Sequence, residues 1–157
     1  RFVDEVRGQL EQDVAQAVGD FVIRRVDGVA SYQLAVVVDD AAAQVTHVLR
    51  ADDLVASTPR QLQLFRALGH APPVFAHVPL LLHEDGKRLA KRDGGLTLAS
   101  LRAQGVRPEA VVGLLAKWSG LSNGEPVTAR ELVDGFSLQR VRRAPTVVTA
   151  AELAGLG

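Results

Sequence analysis

Between residues 32 and 82 the chain places apolar runs on either side of one well-punctuated amphipathic stretch, and this order constrains the fold more than any other feature. Residues 32–38 (YQLAVVV) contain a run rich in β-branched side chains, as expected of a strand covered on both faces. Asp39 and Asp40 end the run. Residues 45–50 read as a second strand, followed at once by Asp52 and Asp53. A helix comes next. Ser57 or Thr58 can cap it, Pro59 sits in its first turn, and Leu62, Phe65 and Leu68 recur at helical spacing before Gly69. After Ala71-Pro72-Pro73, an apolar run continues through Leu82 and predicts a buried strand. Strand, strand, helix, strand implies a largely parallel sheet with helices against it, an α/β fold.

The flanks are less regular. Residues 2–8 predict a short strand ending at glycine, and residues 11–18 suit either helix or loop. Phe21-Val22-Ile23-Arg24-Arg25 is strand-like and is closed by the turn dipeptide Asp27-Gly28. From Leu96 onward the pattern turns helical. Leu98 and Leu101 sit on a short helix ending at Gly105. Pro108 opens another, whose face carries Val111, Leu114, Leu115 and Trp118, with Gly120 past its end. Thr128 with Glu131, and Thr149 with Glu152, have the spacing of capping boxes. The chain is therefore expected to divide near Gly86, into an α/β part (1–85) and a small helical part (86–157).

Composition narrows the chemistry. Acidic and basic residues balance at 18 each, so any anion site must be local. The absence of cysteine excludes disulfides and thiolate metal ligation within these residues, which fits a reducing cytoplasm. No apolar run approaches the roughly 20 residues of a membrane span, and no signal peptide opens the sequence. Methionine is absent and the chain begins mid-pattern at Arg1-Phe2-Val3, as expected of a fragment or processed piece.

Residues 86–95 (GKRLAKRDGG) pack four cations into six positions between glycines. The segment suits a solvated basic turn, or a mobile loop for a polyanion such as a triphosphate, with Leu89 anchoring it and Lys91 reaching forward. Arg50 lies at a strand end, where open α/β sheets bind ligands, so its guanidinium can clamp a carboxylate by two parallel hydrogen bonds. It can equally form a surface ion pair with Asp52 and Asp53. Those aspartates also suit a ribose hydroxyl, a metal ion or an amine. Tyr32 reads either as a core tyrosine or as the wall of a ligand pocket. His47, His70, His77 and His83 are scattered and predict no metal site, and His77 reads as a packed or capped residue.

Several strings are together similar to one family. Gly19-Asp20-Phe21-Val22-Ile23-Arg24-Arg25, residues 32–40 (YQLAVVVDD), residues 45–50 (VTHVLR), Ser57-Thr58-Pro59-Arg60-Gln61, His77-Val78-Pro79-Leu80-Leu81 and residues 87–94 resemble, in order and spacing, the second half of the class I glutamyl-tRNA synthetase catalytic domain. The resemblance covers roughly residues 1–120. It is nearest the glutamyl-Q tRNA(Asp) synthetase branch, short relatives that attach glutamate to the queuosine base of tRNA(Asp). It implies the second half of a Rossmann-like catalytic domain followed by a small helical, stem-contact-like domain. It also implies glutamate, ATP and tRNA(Asp) as substrates, with Mg2+. By this resemblance Arg88-Leu89-Ala90-Lys91-Arg92 stands for the KMSKS-type loop. Lys91 is its catalytic lysine and binds the ATP phosphates. Tyr32 and Arg50 bind glutamate, Asp53 lies near the nucleotide, and Leu81 meets the adenine through its backbone.

The sequence departs from the family in places. The loop has arginine for its first lysine and alanine for its serine. Val36 replaces the asparagine of full-length glutamyl synthetases, which supports the short branch. No role is assigned to Asp52. The HIGH motif is not found in these residues, and the branch's zinc-binding cysteines belong upstream of them. These residues alone are therefore expected to be inactive. Two alternatives remain open: a truncated glutamyl-tRNA synthetase, and a noncatalytic relative that binds tRNA or a partner protein, with Arg140, Arg142 and Arg143 contributing basic charge.

Overall fold

A computed structural model describes residues 1–89 and 97–156. The chain divides into two compact units, Arg1–Val78 and Pro79–Gly157, so the division expected at Gly86 falls inside the second. Among the described residues, no helix is long and apolar enough to cross a membrane.

In the first unit, β1 (Phe2–Asp4) pairs antiparallel with β2 (Gly8–Leu10). Asp13 accepts from the N–H groups of Ala15 and Gln16 and so starts the single-turn α1 (Val14–Ala17). A loop held by an isolated bridge between Arg24 and Ala30 leads to α2 (Tyr32–Ala42). Then come β3 (His47–Ala51), a 3-10 turn (Asp52–Ser57), α3 (Thr58–Ala67) and β4 (Val74–Val78). The sheet order is β2-β1-β4-β3, and β1, β4 and β3 run parallel. Val6, Val14, Val37, Phe65, Phe75 and Ala76 are buried in this unit.

Four local expectations are corrected here. Residues 32–38 form the first two turns of α2, not a strand. A short apolar run carries no periodicity to choose between the two, and the helix continues through Asp39, Asp40 and two alanines, which favour it. Gln44, at φ 54°, ends it, with the Val45 N–H donating to the Asp40 carbonyl. Only Val37 of α2 is fully buried, so the run is covered on one side rather than both. Phe21-Val22-Ile23-Arg24-Arg25 forms no strand beyond the bridge at Arg24, and its apolar side chains Val22 and Ile23 are exposed. The run through Leu82 is split, because β4 ends at Val78 and a separate β5 (Leu81–Leu82) follows Pro79-Leu80. Finally, neither Ser57 nor Thr58 caps α3 through its side chain. The chain enters the helix from the 3-10 turn, and both hydroxyls are engaged elsewhere.

In the second unit β5 is followed by α4 (Leu98–Ala103), α5 (Pro108–Ser119) and α6 (Ala129–Val133). β6 (Thr146–Val147), parallel to β5, and α7 (Ala150–Ala154) complete it. Pro108 opens α5, and Gly120, at φ 81°, closes it in the left-handed conformation. The Thr128–Glu131 and Thr149–Glu152 capping boxes form with both reciprocal hydrogen bonds, and Thr97–Ser100 supplies a third at the start of α4. Leu114, Trp118 and Val148 make the core, with Leu81, Leu89, Leu153 and Leu156 packed on it. Burying a side chain of that size is worth roughly 1.5–3 kcal/mol. Leu89 thus ties the start of the basic segment to the core of its own unit.

Candidate functional site

The parallel register brings three polar residues to the carboxyl ends of adjacent strands. Asp4 is the last residue of β1 and lies beside Phe75 of β4. Arg50 of β3 lies directly opposite His77 of β4. Side chains of adjacent in-register residues project to the same face, so sheet formation alone sets Arg50 against His77. Phe75 and His77, two apart on β4, share that face with rings stacked at 6.1 Å and 14°. The Arg50 guanidinium lies 5.0 Å over the Phe75 ring.

Hydrogen bonds convert this juxtaposition into a continuous relay. Asp4 Oδ1 accepts from the backbone N–H groups of Val6 (3.0 Å), Arg7 (2.9 Å) and His77 (3.1 Å). Asp4 Oδ2 lies 2.5 Å from His77 Nδ1. His77 Nε2 accepts from Arg50 Nε at 2.9 Å, and Thr58 Oγ1 lies 3.3 Å from the same nitrogen. Arg50 Nη2 donates to Thr58 Oγ1 at 2.8 Å and to the Leu54 carbonyl at 3.4 Å. The side chains of Asp4 and His77 are both fully buried. A carboxylate accepts only and a guanidinium donates only, so the ring between them must carry its proton on Nδ1 and leave Nε2 bare.

Charges around the relay follow its packing. Burial pushes the Asp4 carboxyl up, but the hydrogen bonds from Arg7, His77 and Val6 outweigh it and hold the carboxyl below its ordinary value. Burial lowers the Arg50 pKa, while Tyr32, Asp40 and Asp4 favour the charged form. Burial also raises Asp40, opposed by Arg50 and reinforced by Asp39. Tyr32, Val36 and Asp40 stand four residues apart on α2 and so share one face of it. The two ends of that stripe, Tyr32 and Asp40, both act on the guanidinium.

The remaining sequence-derived candidates have local partners of their own. Asp52 pairs with Arg7 at 3.2 Å rather than with Arg50, which removes the surface-pair reading of Arg50. Asp53 shares a cleft of about 400 Å3 with Arg7, Glu11, Gln12 and Asp52. Tyr32 is half-exposed at the start of α2, not a core residue. The Leu81 carbonyl accepts from the Leu89 N–H at 2.8 Å, while Lys87 pairs with Asp85 at 2.8 Å on the surface. Ala90, Lys91 and Arg92 lie outside the described residues. Arg140 donates to the carbonyls of Gly135 and Leu121, a structural use of one cation of the basic cluster. Sequence reasoning singled out neither Asp4 nor the bond from His77 to Arg50. The one signal for His77 was its place two residues after Phe75 in a strand, which fixes its face but not its partner.

Residues 1–154 match the family described as class I tRNA synthetases (E and Q), catalytic domain. The chain belongs to this family. A glutamyl-Q tRNA(Asp) synthetase of Symbiobacterium thermophilum is 58% identical over 139 residues, covering 88% of this chain and 43% of that protein. A glutamate–tRNA ligase of Desulfitobacterium hafniense is 41% identical over 146 residues, covering 92% of this chain and 30% of that protein. The crystal structure of a glutamate tRNA ligase from Elizabethkingia meningosepticum, in complex with its amino acid, superposes with a TM-score of 0.82 at 28% identity. It matches 99% of this chain and 35% of its own. The chain thus spans less than half the length of these synthetases, and its α/β first unit is part of a class I catalytic domain.

Proposed function

We propose that the whole protein activates glutamate with ATP and transfers the glutamyl group to the queuosine base of tRNA(Asp). In the first step a glutamate carboxylate oxygen bonds to the α-phosphorus of ATP as pyrophosphate leaves. In the second, an acceptor group on the base takes the acyl group and AMP leaves. The observation that carries this reading is the anchored Arg50. Its Nε and Nη2 are held by His77, Thr58 and Leu54, and the Tyr32 phenol also bonds the guanidinium, so phenol and guanidinium together suit a ligand carboxylate. Glutamate has two carboxylates and the reacting one must stay free to attack, so Arg50 holds the other. The Nε side, engaged by His77, is not the edge turned to the ligand.

Lys91 and Asp53 are assigned to ATP on sequence grounds, Lys91 to stabilise charge as pyrophosphate departs. Among the described residues no three His, Asp or Glu side chains converge, and no step is assigned to Mg2+. In the full-length protein, Arg50→Ala raises the KM for glutamate by about 100-fold or more, as expected when one member of a charged hydrogen-bonded pair is removed. The KM for ATP stays within about twofold. A change confined to ATP refutes the clamp.

A second reading is favoured by the relatives named glutamate–tRNA ligase, 41% and 43% identical. In it the acceptor is tRNA(Glu). Glutamylation of queuosine-bearing tRNA(Asp) against tRNA(Glu) decides between the two.

A further inference from the structure

We infer that His77 is a positioning residue for substrate recognition: Asp4 locks it as the Nδ1–H tautomer, and its bare Nε2 aims Arg50 at the ligand carboxylate. The inference rests on the clamp reading of Arg50 and goes beyond it, because neither His77 nor Asp4 touches the ligand edge. The geometry is directional at each link. Asp4 Oδ2 can only accept, so the proton sits on Nδ1. Nε2 then presents its lone pair to Arg50 Nε at 2.9 Å, with the Thr58 hydroxyl at 3.3 Å. The opposite tautomer, or a protonated ring, turns Nε2–H against Arg50 Nε–H, donor against donor in a site with no water-exposed histidine surface.

Arginine is a long side chain with costly rotamer freedom, and fixing its inner edge in advance removes that cost from binding. Phe75 supports the same pose from below, stacked on His77 and under the guanidinium. Asp4, His77 and Arg50 come from three adjacent strands, so the relay is built into sheet pairing rather than into a loop.

The test uses two isosteres in the full-length protein. His77→Asn places an amide N–H where Nδ1 was, keeping the donor to Asp4 and losing the acceptor for Arg50. His77→Gln places an amide oxygen where Nε2 was, keeping the acceptor for Arg50. The expected result is a glutamate KM raised roughly 10- to 100-fold in His77→Asn, the loss of one charge-assisted hydrogen bond. His77→Gln recovers most of it, and the ATP KM stays within about twofold in both. Equal KM values in the two variants overturn the proposal, since a merely structural histidine would not distinguish them.

Arg50→Ala in the same series separates the two failures. A normal glutamate KM there overturns the clamp, whereas a raised KM there with a normal one in His77→Asn overturns only the positioning role. Should either isostere fail to fold, the tautomer is read on the unmutated protein by nitrogen NMR of labelled histidine. A proton on Nδ1 with Nε2 bare is expected, and a proton on Nε2 overturns the inference.

Discussion

Replacing Asp4 by asparagine exchanges one oxygen for an amino group without changing the shape of the side chain, and it tests the logic of the relay most sharply. The backbone N–H groups of Val6, Arg7 and His77 all land on Oδ1, and an amide oxygen can accept all three. Oδ2 faces His77 Nδ1, and there the amide is a donor. The ring must then accept at Nδ1 and carry its proton on Nε2, which meets the Arg50 Nε–H across 2.9 Å. The ring is neutral, so the loss is a hydrogen bond to a charged group plus a buried Nε2–H left without an acceptor, about 1–3 kcal/mol. With donor set against donor at Arg50, we expect the upper end, about 3 kcal/mol.

The two units need not unfold together, so a single melt is a poor readout. Native-state hydrogen exchange at the β3 and β4 amides reads this unit alone. A destabilisation of about 3 kcal/mol accelerates exchange through global opening by roughly 100-fold. Exchange within about threefold of the parent, with His77 still protonated on Nδ1, refutes the reasoning. The pH dependence has a definite sign. The Asp4 pKa is depressed on folding, so its contribution is present above the unfolded value and is lost as pH falls through the ordinary carboxylate range and below. The gap between parent and Asp4→Asn therefore narrows in acid.

In the second unit, a Cβ added at Gly113 would lie 2.2 Å from the Glu125 carbonyl oxygen and 2.8 Å from its carbon. Backbone must move, so Gly113→Ala lowers stability by about 1–3 kcal/mol despite a helix-propensity gain of about 1 kcal/mol. A raised melting temperature in the fluorescence of Trp118, which reports this unit, contradicts this. Lys117 Nζ holds Glu152 at 2.9 Å, and this bond, with the Thr149 N–H, lowers the carboxyl from 4.5 to about 2. The contribution is full above about pH 4.5 and disappears as pH falls toward 2. Because both side chains are partly exposed, it is worth about 1 kcal/mol rather than the whole shift. Lys117→Met therefore moves acid unfolding to higher pH, read by the fluorescence of Trp118, the chain's single tryptophan. An unchanged acid midpoint excludes the pair as a contributor.

What was legible in the sequence was local. Pro108 and Gly120 bracket α5, and the Thr128–Glu131 and Thr149–Glu152 boxes form as their spacing requires, because each device is completed within a few residues. What was hidden depends on residues far apart. Asp4 and His77 are 73 positions apart and meet only once β1 and β4 pair. Ser57 and Thr58 look like helix caps, yet the fold gives Thr58 to Arg50 and Ser57 to Gln33 Nε2 at 3.0 Å. A hydroxyl before a proline has the right chemistry for either use, and only the tertiary partner decides.

The helical course of residues 32–38 bears on function as well as on fold. Tyr32 and Asp40 both act on the Arg50 guanidinium. In an extended strand those two residues would stand about 26 Å apart, at roughly 3.3 Å per residue. No single side chain could face both. In α2 they are about 12 Å apart, on one face and two turns from each other. Val36 lies between them on that face, one turn from Tyr32, so the helix sets an apolar side chain between the phenol and the carboxylate. Winding this segment into a helix is therefore what lets a phenol and a carboxylate two turns apart both act on one arginine, itself held by His77.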